Sequence, residues 1–438
     1  MFDIMKFSFF FTYLCFTFIS ASRLFAQNPI SPFGVYIADP SARVMPDGKL
    51  YIYGSKDENR KDYCSKGYHV LSSFDLKHWN IKKEVFSSCK PNDNINYSDA
   101  VLYAPDCIER NGKYFLYYCM SDNSEGVASG DKPDKFYKDG LKLPVDGIDP
   151  AVFIDDDGQA YYYWGQFSAC GAKLNNDMRS IDTTTIKRGL VTEEEHRFHE
   201  GSWMFKRNGI YYYVYAALNK RGEATAIDYS TSHSPLGPFT YGGTIIDNFG
   251  CDPCVWNNHG SVAEYNGQWY IFYHRATHGC QSMRKACVEK IYFREDGSIP
   301  QVEMTSQGAA DPLDAFHPIE AARACNLTGK VRIVRSGIDR EELAKIEHYD
   351  RAIYKYLNFK RIPTSIHVKV ASQAGGKILV LTDSHVVHAI IDIPAGNNEY
   401  REFTAEVSGI KVGISQLKFR FEGAEDKDLM RLDSFYFR

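Results

Sequence analysis

The chain has 438 residues, a formal net charge of -4 and 44 % hydrophobic residues, enough to bury cores in two or three domains. No run of five basic residues occurs, which excludes the charge footprint of a nucleic-acid-binding surface. Aromatic residues make up 14 %, with 30 Tyr against 5 Trp, a bias that suits β-strands.

At the N-terminus, Lys6 precedes an apolar run over residues 7–19, and Ala26 supplies a small residue at a cleavage point. Residues 1–26 read as a secretory signal, and a secreted or periplasmic location is expected. No later stretch is apolar and long enough to span a bilayer, so no membrane insertion is expected after signal removal. Of the 11 cysteines, Cys15 lies in the signal. Export makes disulfides feasible among the others. Cys251 and Cys254 have CxxC spacing, but there is no second such pair, so zinc is not expected.

From residue 29 a repeat sets the pattern. A short apolar run is followed by a polar turn ending in glycine and then by an aromatic run, five times over. The turn glycines are Gly48, Gly112, Gly158, Gly209 and Gly267. Tyr161-Tyr162-Tyr163-Trp164 is the most aromatic of the runs that follow them. Each unit, over residues 35–85, 97–143, 147–191, 198–246 and 250–302, holds about four short strands, the size and pattern of a propeller blade. No sustained 3.6-residue apolar period appears, so few helices are expected. Residues 29–305 are predicted to form a five-bladed β-propeller.

Nine residues before the five glycines stand Asp39, Tyr103, Asp149, Glu200 and Asn258, with His259 beside the last. In a propeller the first strand of each blade lines the axis. Asp39, Asp149, Glu200 and His259 are therefore expected to meet at one mouth of the channel. Asp106 is a weaker candidate for a polar role there. Two or three carboxylates around a polar channel are what glycosidic bond cleavage needs, one protonating the leaving oxygen and one activating water or attacking the sugar. Asp-Pro pairs such as Asp39-Pro40 and Asp149-Pro150 are also common in turns; recurrence at one repeat position favours the catalytic reading.

Residues 306–318, rich in Gly, Ala, Asp and Pro, read as a linker. Residues 319–438 contain no Trp and show alternating strands near 365–370, 377–381, 402–407, 417–421 and 432–437, which predicts a β-sandwich (jelly roll). The fold class is thus all-β.

Ala38-Asp39-Pro40, Gly147-Ile148-Asp149-Pro150, His199-Glu200-Gly201-Ser202-Trp203, and His259-Gly260-Ser261-Val262 followed by Phe272-Tyr273-His274-Arg275 together resemble glycoside hydrolase family 43. The resemblance implies an inverting glycosidase acting on glycans that contain arabinose or xylose. The most direct expectation is an α-L-arabinofuranosidase trimming plant polysaccharide side chains. β-Xylosidase and β-galactofuranosidase are alternatives on the same scaffold, and a non-catalytic glycan-binding propeller is another. By the same resemblance Asp39 is the general base, Glu200 the general acid, and Asp149 the residue that tunes and orients that acid. Arg275, Trp203 and His259 are implied as substrate-binding. His259 also matches a histidine that approaches calcium in some members, although the chemistry requires no cofactor. The C-terminal part resembles a family 6 carbohydrate-binding module, in which Glu320 and Asp433 match positions binding a structural calcium. Tyr354, Tyr356 or Tyr400 would stack on sugar there.

Overall fold

A computed structural model describes residues 27–338, 340–382 and 386–438. The expected signal over residues 1–26 lies outside the described residues. Five antiparallel sheets follow one another along the chain. They span residues 36–87, 106–146, 151–192, 198–247 and 261–291, with three to five strands each. Helix is confined, among the described residues, to Glu193–His196 and a 3-10 turn at Ala321–Arg323.

The five turn glycines all take positive φ, between 76° and 81°. Three of them follow an asparagine that is also left-handed, at Asn111, Asn208 and Asn266. These are two-residue hairpins closed by the pairs Arg110 and Lys113, Arg207 and Ile210, and Tyr265 and Gln268. Asn-Gly suits such a turn because both central residues need φ above zero.

Five apolar clusters fill the spaces between successive sheets. The last joins blade five (Tyr265, Tyr270, Phe272) to blade one (Ile37, Ile52, Leu71), so the sheets close into a ring. The tyrosines stitch that ring. Tyr53, Tyr117, Tyr163, Tyr212 and Tyr265 each donate a hydroxyl to a carbonyl on a neighbouring segment, at Pro133, Met178, Pro235, Gly297 and Phe74, over 2.6–2.8 Å. A Tyr body packs between sheets while its hydroxyl meets a carbonyl that would otherwise lack a partner. The fifth sheet has three strands, and the N-terminal segment lies along its outer strand. Ile30 N–H donates to Ala286 O at 2.9 Å, and Asn28 exchanges hydrogen bonds with Val288. The two ends of the propeller are thereby tied.

The C-terminal residues form two six-stranded sheets around one apolar core. Four of the five alternating segments read from the sequence lie within its strands, and the fifth, 402–407, runs one residue past Asn397–Glu406. Residues 306–318 do not form a free linker. Ser306, Leu313 and Ala315 are buried, and Leu313–Asp314 pairs in parallel with Leu357 and Asn358. Its small residues let the segment pack closely against the sandwich edge. All ten described cysteines are free thiols.

Propeller and sandwich meet across a buried ion pair. Lys285 Nζ lies 2.7 Å from Glu341 Oε2, with both side chains almost fully buried. The other Glu341 oxygen accepts from the N–H of Gly34. Glu341→Ala would strand the Lys285 ammonium, and the expected cost is about 3–5 kcal/mol, read as a fall in Tm. The double variant Lys285→Met/Glu341→Leu is expected to recover most of that loss.

Candidate functional site

Irregularities in the inner strands deliver the acids to the mouth. Between Ala38 and Ser41 the register of Tyr36–Val44 against Leu50–Asp57 slips, so Asp39 and Pro40 bulge. Phe198–Arg207 slips in the same way after Glu200. Asp39 and Asp149 hold φ of 51° and 60°, and Gly201 holds 76°. A bulge re-aims a side chain out of the pleat. Left-handed backbone at non-glycine residues is a conformation that surrounding structure must enforce. Gly201 also admits no side chain, because a Cβ there would stand 2.7 Å from the His259 ring.

The structure brings Asp39, Asp149, Glu200 and His259 together. His259 Nδ1 is 3.8 Å from Asp39 Oδ1 and 3.6 Å from Asp149 Oδ2. Burial lowers the His259 pKa against the pull of the acids, so the ring is neutral near pH 7.

The three carboxyls have different surroundings. Asp39 is buried, which alone would raise its pKa, yet Arg284, His274, His259 and the Ser55 hydroxyl together hold it below the usual carboxylate range. Arg284 Nη1 lies 3.1 Å from Asp39 Oδ1, and Ser55 Oγ donates to Asp39 Oδ2 at 2.6 Å. Asp149 goes the other way. Burial, then repulsion from Glu200 and Asp39, pushes its pKa well up, against a hydrogen bond from the Gly201 N–H. Glu200 is half-buried, and two side-chain amides grip its oxygens, Gln166 Nε2 at 3.0 Å and Asn257 Nδ2 at 3.3 Å.

Several of these partners escape the repeat alignment. Arg284 forks onto Asp57, with Nε and Nη2 each 2.9 Å from a carboxylate oxygen, while Nη1 turns to Asp39. His274 accepts from the Asp39 N–H at 3.1 Å through Nδ1, and its Nε2 donates to Asn257. That tautomer requires a neutral ring, and burial pushes the His274 pKa down to about 3. The Tyr63 ring lies 4.8 Å from the Arg284 guanidinium, and its buried hydroxyl has no hydrogen-bond partner. The available signal was alternation: Ser55 and Asp57 share one face of Leu50–Asp57, as His274 does along Gln268–Ala276.

Two expected substrate residues are buried rather than exposed at the mouth. Arg275 follows His274 on a strand, so it points the opposite way. It is buried against Tyr273, Glu289 and the Thr305 carbonyl. Trp203 lies buried below the mouth, donates its indole N–H to Val262 O at 2.8 Å, and carries the Arg43 guanidinium 3.9 Å above its ring. Arg43 runs across the axis to Asp106 and the Val152 carbonyl. Asp106 is therefore an axial anchor, also held by Ser41.

Calcium does not fit the donors present. It takes six to eight oxygen ligands. The cavity that Asp39, Ser41, Asp106, Trp203 and His259 line measures about 10 Å³, and its carboxylates already face Arg284 and Arg43. In the sandwich, Glu320 pairs with Arg323, and Asp433 pairs with Arg340 and Lys369. Those cations already pair with the carboxylates that an ion would need. Among the described residues no group of three or more His, Cys, Asp or Glu is placed to hold a metal.

Residues 26–299 match the family model described as Glycosyl hydrolases family 43. The chain belongs to that family. As a family 43 glycoside hydrolase it is 33 % identical to a xylosidase/arabinosidase of Thermoclostridium stercorarium, over 92 % of this chain and 97 % of the relative. It is 28 % identical to an arabinoxylan arabinofuranohydrolase of Bacillus subtilis (strain 168), over 91 % of this chain and 90 % of that one. A crystal structure of a Bacillus subtilis arabinoxylan arabinofuranohydrolase with cellotetraose superposes with a TM-score of 0.57 at 26 % identity, covering 94 % of this chain and 99 % of that one.

Proposed function

We propose that this family 43 hydrolase is an inverting α-L-arabinofuranosidase that removes arabinose side chains from arabinoxylan. The observation that carries this is the asymmetry of its carboxyls. Asp39 is enclosed and held ionised by Arg284, which supports a general base. Glu200 stands half-exposed at the other side, which supports an acid that reaches a leaving oxygen. A water between Asp39 and the anomeric carbon gives its proton to Asp39 as its oxygen bonds to that carbon. The glycosidic C–O bond breaks on the opposite face, and Glu200 protonates the departing oxygen. Asp149, whose pKa burial and the neighbouring Glu200 and Asp39 push up, tunes and orients that acid. The names of the relatives support the sugar class, and the N-terminal leader supports export towards a polymer outside the cell.

Hydrolysis of a substrate panel tests the reading. Arabinose is expected as the main product from arabinoxylan. Xylose release from xylo-oligosaccharides as the dominant activity would instead favour a β-xylosidase; xylosidase is the first activity in the name of the Thermoclostridium relative. The likeness of the C-terminal sandwich to a family 6 module supports a glycan-holding role, for which a groove of about 340 Å³ beside Ser372, Arg401 and Phe403 is the available surface. Tyr354 takes no part in it, being core, with its hydroxyl on Ala321 O.

Asp149→Asn separates stability from catalysis. A carboxyl whose folded pKa is raised contributes stability at pH below its unfolded value, about 3.9, and that stability is lost as pH rises through the folded pKa. The Asn variant is therefore expected to melt higher than the parent at neutral pH, with a gap that widens from acid towards neutral pH. It should turn over more slowly, with a displaced alkaline limb in its pH–rate profile, the limb that a general acid sets.

A further inference from the structure

We propose that Phe167, His199 and Trp256 form a stacking shelf for the pyranose main chain that carries the cleaved sugar. The proposal rests on the glycosidase reading above and assigns its leaving-group side. Gln166 and Asn257 are the residues whose amides hold Glu200, and each is the sequence neighbour of one shelf aromatic. The acid must reach the leaving oxygen, so the group that departs lies on this rim. At the opposite side Asp39 is closed in by Arg284, Ser55 and His274.

Two of the shelf residues leave large apolar side chains in water. Phe167 is 53 % and Trp256 45 % exposed. The His199 ring stands between them, 5.4 Å from Phe167 and 6.4 Å from Trp256, edge-on to both. Apolar surface left in water beside a cleft marks a binding face. Phe167 also holds φ at 60°, which a bulky side chain seldom adopts. Two backbone hydrogen bonds pin it there, its N–H to His199 O at 2.7 Å and its carbonyl from the Glu193 N–H at 3.0 Å. Strain held by its surroundings is found at ligand clamps. Nδ1 of His199 is buried without a hydrogen-bond partner, and Glu193 at 3.8 Å is too distant to satisfy it. Aromatic faces match the C–H faces of pyranoses.

The test compares the full-length parent with Phe167→Ala/Trp256→Ala, measuring kcat/KM on wheat arabinoxylan and on 4-nitrophenyl α-L-arabinofuranoside, together with retardation in gels containing arabinoxylan. In the double variant the polymer-to-aryl ratio of kcat/KM is expected to fall about tenfold or more. Phe167→Tyr/Trp256→Phe, which keeps both rings, should restore it to within about threefold. A double variant with the parent ratio and parent retardation overturns the shelf, as does a proportional loss on both substrates. A parent that hydrolyses neither substrate, yet loses retardation when the two rings are removed, overturns the glycosidase reading and leaves the shelf standing.

Discussion

Glu200→Ala is expected to lower kcat/KM on arabinoxylan by about 10²–10⁴-fold, the usual contribution of a positioned proton donor. The loss should depend on the leaving group. A sugar alkoxide departs poorly without a proton, whereas a nitrophenolate departs readily, so the variant should retain far more activity on an aryl glycoside. Asp39→Asn should behave differently. It removes the group that takes the proton from water, and no leaving group compensates for that, so both substrates should suffer alike, by about 10²-fold or more. Steady-state kinetics of the two variants on the two substrates separates the roles. Equal losses for Glu200→Ala on both substrates would contradict its assignment as the acid.

Arg284→Met has the second large expected effect. Arg284 is buried between Asp39 and Asp57 and hydrogen-bonds both. Removing the guanidinium leaves two buried carboxylates without their partner, a loss expected to reach about 3–5 kcal/mol in stability at neutral pH. It also removes the leading attraction that keeps the Asp39 pKa low. A depressed carboxylate pKa gives stability above the unfolded value that disappears as pH falls through the folded one. In the variant the Asp39 pKa should rise, because burial then acts with less opposition. The acidic limb of kcat/KM should move to higher pH, and the melting temperature should fall most at neutral pH. Arg284→Lys keeps a charge but not the fork, and should restore the limb only in part. An unmoved acidic limb in a folded Arg284→Met protein would show that Arg284 does not govern the base.

The repeat made both the fold and three of the acids legible, because a turn glycine is required at one place in each blade and the acid stands at a constant distance before it. The offset worked at Asp39, Asp149 and Glu200. At the fifth copy it fell on Asn258, which bonds the Thr225 carbonyl, while its neighbour His259 reaches the mouth. Parity decided the failures. A shift of one residue along a strand moves a side chain to the other face, so His274 meets Asp39 and Arg275 does not. Arg43 and Arg284 were hidden for another reason. Their partners lie on adjoining blades but 63 to 245 residues away along the chain, and no local pattern marks a cation that bridges them. The same holds for Arg340 and Lys369, which neutralise Asp433 from a loop and from another strand. Residues 306–318 misled through composition, since small residues suit both loose chain and close packing.

The central claim is that Asp39 activates water while Glu200 protonates the leaving oxygen from the opposite face. The most direct test is a proton NMR time course on arabinoxylan, following the anomeric signal of the first arabinose released before mutarotation. The arrangement described here predicts β-L-arabinose as the initial product, by inversion at the anomeric carbon. Initial release of α-L-arabinose would mean retention through a covalent intermediate, and would contradict the role given to Asp39.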